Sequence, residues 1–105
     1  MQDGFVKIAA ATPDLRVADC AYNASEIIEQ AKQATAKGAR LIVFPELCLT
    51  GYTCGDLFLQ QTLLDGALAA LETVCRETAK LEAVVVVGLP LRVRGKLYNC
   101  AAVLC

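Results

Sequence analysis

The chain has 105 residues, 56% of them hydrophobic and 20% charged, with ten lysines and arginines, eleven aspartates and glutamates and no histidine. That size and composition suit one buried core, or part of one, and exclude a disordered chain. A formal net charge of -1 without any basic cluster cannot neutralise a run of phosphates, so no nucleic-acid partner is expected, and the missing histidine excludes serine triads, Cys-His catalysis and Cys/His zinc sites.

The amino terminus has an early acid and no basic region leading into a sustained apolar one, so it does not read as a secretory signal. The longest apolar run, Ala83 to Leu91, is far shorter than the roughly 20 residues of a membrane-spanning helix. A cytoplasmic location without a membrane partner is expected. The six cysteines, Cys20, Cys48, Cys54, Cys75, Cys100 and Cys105, lack both a secretory context and C-x-x-C spacing. Reduced thiols and no metal site follow.

In chain order, Phe5 to Ala11 reads as a short apolar strand ended by Thr12-Pro13-Asp14. Asn23 is placed to cap a helix whose third position is Glu26, with Ala24, Ile27, Ile28, Ala31 and Ala34 on one stripe and Gly38 closing it. Leu41 to Phe44 is a continuous apolar run, as in a strand buried on both faces, and Pro45 stops it. A second helix from Leu63 to about Thr78 carries Leu63, Leu64, Ala67, Leu68, Leu71 and Cys75 on its apolar side, and Gly66 costs it about 1 kcal/mol relative to alanine. Val84 to Leu89 and Leu97 to Cys105 are two further strands, joined through Arg94-Gly95-Lys96 as an antiparallel hairpin. The order β-α-β-α-β-β predicts an α/β fold with a mixed sheet and its helices on one face. The last apolar strand has no polar tail, so the domain is expected to continue beyond Cys105 and cover that edge.

The stretch Val43-Phe44-Pro45-Glu46-Leu47-Cys48-Leu49-Thr50-Gly51-Tyr52 puts a carboxylate just after a buried strand, where open α/β sheets carry their reacting groups. By position alone Glu46 is either an ordinary loop acid or a proton carrier. Its apolar neighbours Phe44, Leu47, Cys48 and Leu49 favour the second, since such surroundings raise a carboxyl pKa toward neutrality. Tyr52 is either part of a substrate pocket or a ring half-buried under the loop. Asn99 is either a supporting hydrogen-bond residue or a strand asparagine capping its ladder. Cys100 and Cys105 read as small core hydrophobes.

Phe44-Pro45-Glu46-Leu47 followed by Thr50-Gly51-Tyr52 resembles the first signature of the nitrilase, or carbon-nitrogen hydrolase, superfamily, whose members use a Glu-Lys-Cys triad. The extension from Gly51 to Leu59, the opening Gly4-Phe5-Val6-Lys7-Ile8-Ala9, and the later Leu89-Pro90-Leu91-Arg92 and Leu97-Tyr98-Asn99 resemble one branch of it. That branch is the amino-terminal glutaminase domain of the glutamine-dependent NAD synthetases. The resemblance implies a nitrilase-type α-β-β-α sandwich of which residues 1–105 are the first part, with Glu46 as general base and Tyr52 near the glutamine pocket. It implies glutamine as substrate and a homo-oligomer. It also implies that the catalytic lysine and cysteine come after Cys105, that this segment alone is inactive, and that ATP and magnesium act only in a separate synthetase domain. Against a dinucleotide-binding half-domain stands the lack of both G-x-G-x-x-G and G-x-x-x-x-G-K-[ST]. Another amidase of the family, or a non-catalytic interaction module on the same scaffold, is the remaining alternative.

Overall fold

The computed structural model describes residues 6–17, 19–45, 47–50 and 61–105. Six elements follow the expected order: β1 (Ile8–Ala10), α1 (Cys20–Ala36), β2 (Leu41–Val43), α2 (Gln61–Thr78), β3 (Val84–Val93) and β4 (Lys96–Leu104). They build one sheet in the order β1-β2-β3-β4, parallel from β1 to β3 and antiparallel between β3 and β4. The mixed α/β sheet read from the sequence is the observed one. Apolar side chains of both helices pack with Ile42, Val85, Val87 and Leu89 of one sheet face in a single core, so the helices share a face.

Helix α1 starts earlier than the sequence suggests, because Asp19 caps it by accepting the Tyr22 backbone N–H at 3.1 Å. Asn23, expected as the cap, lies in the first turn and is fully buried. Its side chain is taken up by bonds to other segments, which a cap could not make. The far end is as expected. Gly38 at φ 95° follows the Lys37 C-cap, its N–H donates to the Thr35 carbonyl (2.9 Å), and the Ala39 N–H donates to that of Ala34 (3.0 Å). These are the two bonds of a Schellman motif, which needs a left-handed residue at that place.

Helix α2 buries Leu63, Leu64, Ala67, Ala70, Val74 and Thr78, while Leu68 is 46% exposed and Cys75 is exposed. The buried stripe is therefore rotated from the one centred on the larger side chains. The seam includes Ala67 and Ala70, whose small side chains let helix backbones approach closely. Gly66 lies near α1 as well: a methyl group there would meet Cys20 Sγ at 3.8 Å, an ordinary contact.

Strand β3 runs on through Pro90, where an earlier end was expected. The N–H and C=O of Gly88 both face the β2 side, since they bond to Cys48 and Leu49. Backbone groups alternate sides along a strand, so Pro90, two residues on, directs its donorless nitrogen the same way and removes no bond to β4. The hairpin closes through Arg94 (φ 53°) and Gly95 (φ 79°), with Val93 opposite Lys96. Two successive residues at positive φ make a type I′ turn, whose twist matches that of the strands.

The sheet face away from the helices is apolar and uncovered among the described residues. Pairing puts Ile8 beside Leu41 and Val86 beside Val103, and Ile8 is 61% and Val103 62% exposed. No helix of the described residues is long and apolar enough to cross a membrane.

Candidate active site

The ladder of β2 continues one residue past the strand, where the Phe44 N–H donates to the Val86 carbonyl at 2.9 Å. Pro45, which has no N–H, follows it in the chain. Glu46, the predicted general base, and Tyr52, the predicted substrate residue, both lie outside the described residues. What is described is the chain on either side of Glu46, and it is closely held.

Leu47 has φ 54°, a left-handed conformation that costs a residue with a Cβ about 1 to 2 kcal/mol. Leu47 to Thr50 form a turn in which the Thr50 N–H donates to the Leu47 carbonyl at 3.2 Å. The turn is tied to β3 at one residue. The Leu49 N–H donates to the Gly88 carbonyl at 3.1 Å, the Gly88 N–H donates to Cys48 Sγ at 3.3 Å, and that thiol faces the Gly88 carbonyl at 3.7 Å. A third tie comes from α1, where Asn23 Nδ2 donates to the Leu49 carbonyl at 3.0 Å. Strain at Leu47 persists because its surroundings over-determine it, the usual circumstance of left-handed residues at functional sites.

Of the apolar residues on either side of the acid in the chain, Phe44, Cys48 and Leu49 are buried and Leu47 is half-buried. Burial pushes the Cys48 thiol up from its ordinary pKa, opposed by backbone hydrogen bonds at Gly88 and at Cys48 itself. A protonated, enclosed thiol is a packing group and not a nucleophile. Cys105 is exposed and Cys100 half-buried, so the core role expected for Cys105 does not hold: it lies one residue past the end of β4.

Thiol labelling reads this arrangement directly. At mildly alkaline pH, iodoacetamide should modify Cys75 and Cys105 while Cys48 reacts only on unfolding; early labelling of Cys48 would show that the turn is open. Because the folded pKa of Cys48 is the higher one, its contribution to stability is complete below the ordinary thiol value. That contribution is lost as pH rises through the raised folded value.

Two hollows are lined in part by Pro45 and by Leu47 respectively. One of about 330 Å³ is lined by Val43, Phe44, Pro45, Gly88 and Asn99 among others, and one of about 240 Å³ by Leu47, Pro90, Leu97, Tyr98 and Asn99. Asn99, opposite Pro90 in the hairpin, borders both. A larger hollow, about 630 Å³, is a groove between α1 and α2. Its carboxylate, Asp19, is engaged as the helix cap, and among the described residues lining the groove no second one is charged.

Asn23 and Cys48 were not legible as site residues. The available signal was an asparagine inside an otherwise apolar helical stripe, which must find partners if buried.

Residues 7–105 match the family model described as carbon-nitrogen hydrolase. The glutamine-dependent NAD(+) synthetase of Mycobacterium tuberculosis is 45% identical over 103 residues, which are 98% of this chain and 15% of that protein. The crystal structure of a glutamine-dependent NAD(+) synthetase from Cytophaga hutchinsonii superposes with a TM-score of 0.87 at 28% identity, over 94% of this chain and 17% of the other. An amidase from Nesterenkonia sp. superposes with a TM-score of 0.75 at 23% identity, over 98% of this chain and 39% of that one, a likeness of fold. The chain thus spans less than a fifth of the length of the synthetases it resembles. With the family model matched from Lys7 to the last residue, and with the mixed sheet and two helices of nitrilase-superfamily structures, the chain belongs to the carbon-nitrogen hydrolase family.

Proposed function

We propose that this chain forms the first part of the glutaminase domain of a glutamine-dependent NAD synthetase, in which Glu46 carries protons for a cysteine nucleophile supplied by later chain. The observation that supports it best is the 45% identity to such a synthetase across 98% of the chain. The glutaminase domain is the part of the enzyme in which a carbon-nitrogen hydrolase fold would act.

In this reading Glu46 accepts the thiol proton as sulfur attacks the side-chain amide carbon of glutamine. The C–N bond then breaks, the same proton goes to the departing ammonia, and a thioester remains. Water, deprotonated by Glu46, hydrolyses the thioester to glutamate and restores the thiol. A lysine, also from later chain, would stabilise the oxyanion. Tyr52 is assigned to the glutamine pocket. The ammonia passes to a synthetase domain that amidates deamido-NAD, where ATP and magnesium act. The described residues of this segment gather no set of three or more His, Cys, Asp or Glu side chains fit to hold a metal ion. A cytoplasmic homo-oligomer completes the reading.

Ammonia release from glutamine tests it, comparing this chain with one extended to the length of its relatives. The extended protein is expected to release ammonia and, given ATP, magnesium and deamido-NAD, to form NAD; the 105-residue chain releases none. Release by neither would reject the glutaminase reading, and hydrolysis of simple amides but not glutamine would reassign the protein as an amidase.

A further inference from the structure

We infer that Asn23 is a positioning residue for the proton-carrying loop, a role that rests on the reading of Glu46 above. Asn23 is fully buried in the first turn of α1. Its Oδ1 accepts the Arg16 N–H at 2.7 Å, and its Nδ2 donates to the Arg16 carbonyl at 2.8 Å and the Leu49 carbonyl at 3.0 Å. The amide orientation is set by these partners, since the flipped amide would put its oxygen against two carbonyls.

One side chain thus joins the segment leading into α1, the helix itself and the turn that follows Glu46. An apolar residue of the same size would fill the space but take the Asn23 partner from the Arg16 N–H and the Leu49 carbonyl, at a cost typical of buried unsatisfied groups, while the Arg16 carbonyl would keep the bond it accepts from the Asp19 N–H at 3.2 Å. The bond to Leu49 has a further consequence. Cys48 and Leu49 hold the turn only along the edge of β3 at Gly88, whereas Asn23 holds it from the helix layer. A turn with Leu47 at φ 54° does not keep that shape by local preference, so ties from two directions decide where the chain leaving Glu46 runs. Arg16 is itself steadied by stacking of its guanidinium 3.8 Å from the centre of the Tyr22 ring, which makes it a firm anchor for the other end of the asparagine.

The test uses the extended enzyme with Asn23→Ala and Asn23→Asp, the second keeping an acceptor for Arg16 but losing the donor to Leu49. Both are expected to lower kcat for glutamine-driven NAD formation by about a hundredfold, the effect of an ångström-scale misplacement of a reacting group. KM for glutamine should change less, and ammonia-driven formation should stay near wild type. A core variant, Val74→Ala, chosen to lose comparable thermal stability, is expected to keep its glutamine-driven kcat. Unchanged kcat in both asparagine variants overturns the inference, as does a loss shared equally by ammonia-driven formation or matched by Val74→Ala, since either would make Asn23 a general fold residue. Glu46→Gln measured alongside separates the two claims: if it leaves glutamine turnover intact, the reading of the acid fails whatever Asn23 does.

Discussion

Glu46→Gln in the extended enzyme is expected to lower glutamine-driven NAD formation by about 10²- to 10⁴-fold, the range contributed by a positioned general base or acid. Glutamine keeps the shape and hydrogen-bonding reach of the glutamate side chain but cannot take a thiol proton, so the change isolates proton transfer from packing. Supplying ammonia directly bypasses the hydrolytic step, so ammonia-driven synthesis should stay near its starting rate. The pH dependence of glutamine turnover should lose its acid limb in the variant, because that limb reports the base becoming protonated. Unimpaired glutamine turnover at saturating substrate would remove Glu46 from the mechanism.

Ile42→Ala should be the most damaging of the conservative core truncations, at about 2 to 5 kcal/mol. Ile42 is fully buried in the middle of β2, the strand paired on both sides with parallel neighbours, and faces the helix layer with Val85 and Val87. The cavity left behind cannot close easily, since sheet backbone on both flanks is fixed by its ladders. A loss of that size is a large part of the roughly 5 to 15 kcal/mol that holds a domain together. Urea unfolding of the variant beside the parent measures it, and a loss below about 1 kcal/mol would mean that the site relaxes far more than this packing allows. Since β2 leads into the loop with Glu46, glutamine turnover should become heat-labile as well.

Much of the fold was legible because strong local signals agreed with the global arrangement. Gly38 marked the end of α1 since a Schellman motif requires a left-handed residue, and Arg94-Gly95 between two apolar runs marked the hairpin. The failures came where distant partners outweighed local preference. Asn23 looked like a cap because asparagine favours that place, and only the folded chain brings Leu49, 26 residues away, to its amide. Helix α2 turned its alanines inward although leucines were available. Pro90 looked like a strand end until the direction of the neighbouring Gly88 groups showed that no bond to β4 is lost. For the candidate site, Phe44, Pro45 and Glu46 stood out in the sequence because a carboxylate after a buried strand is a recurrent arrangement. The ties at Cys48, Leu49 and Gly88 did not, because one joins backbone groups that every sequence possesses and the other joins a thiol to the backbone of a residue 40 positions away.

The sheet face that the described residues leave uncovered bears on how such a chain behaves in a test tube. Ile8, Val43 and Val103 present branched hydrocarbon to water on a surface whose molecule carries a formal charge of only -1. Colloidal repulsion between copies is accordingly weak, and near the isoelectric point of about 5.3 it vanishes. Self-association of the isolated polypeptide should therefore rise with concentration and ease at higher pH, where added negative charge keeps copies apart.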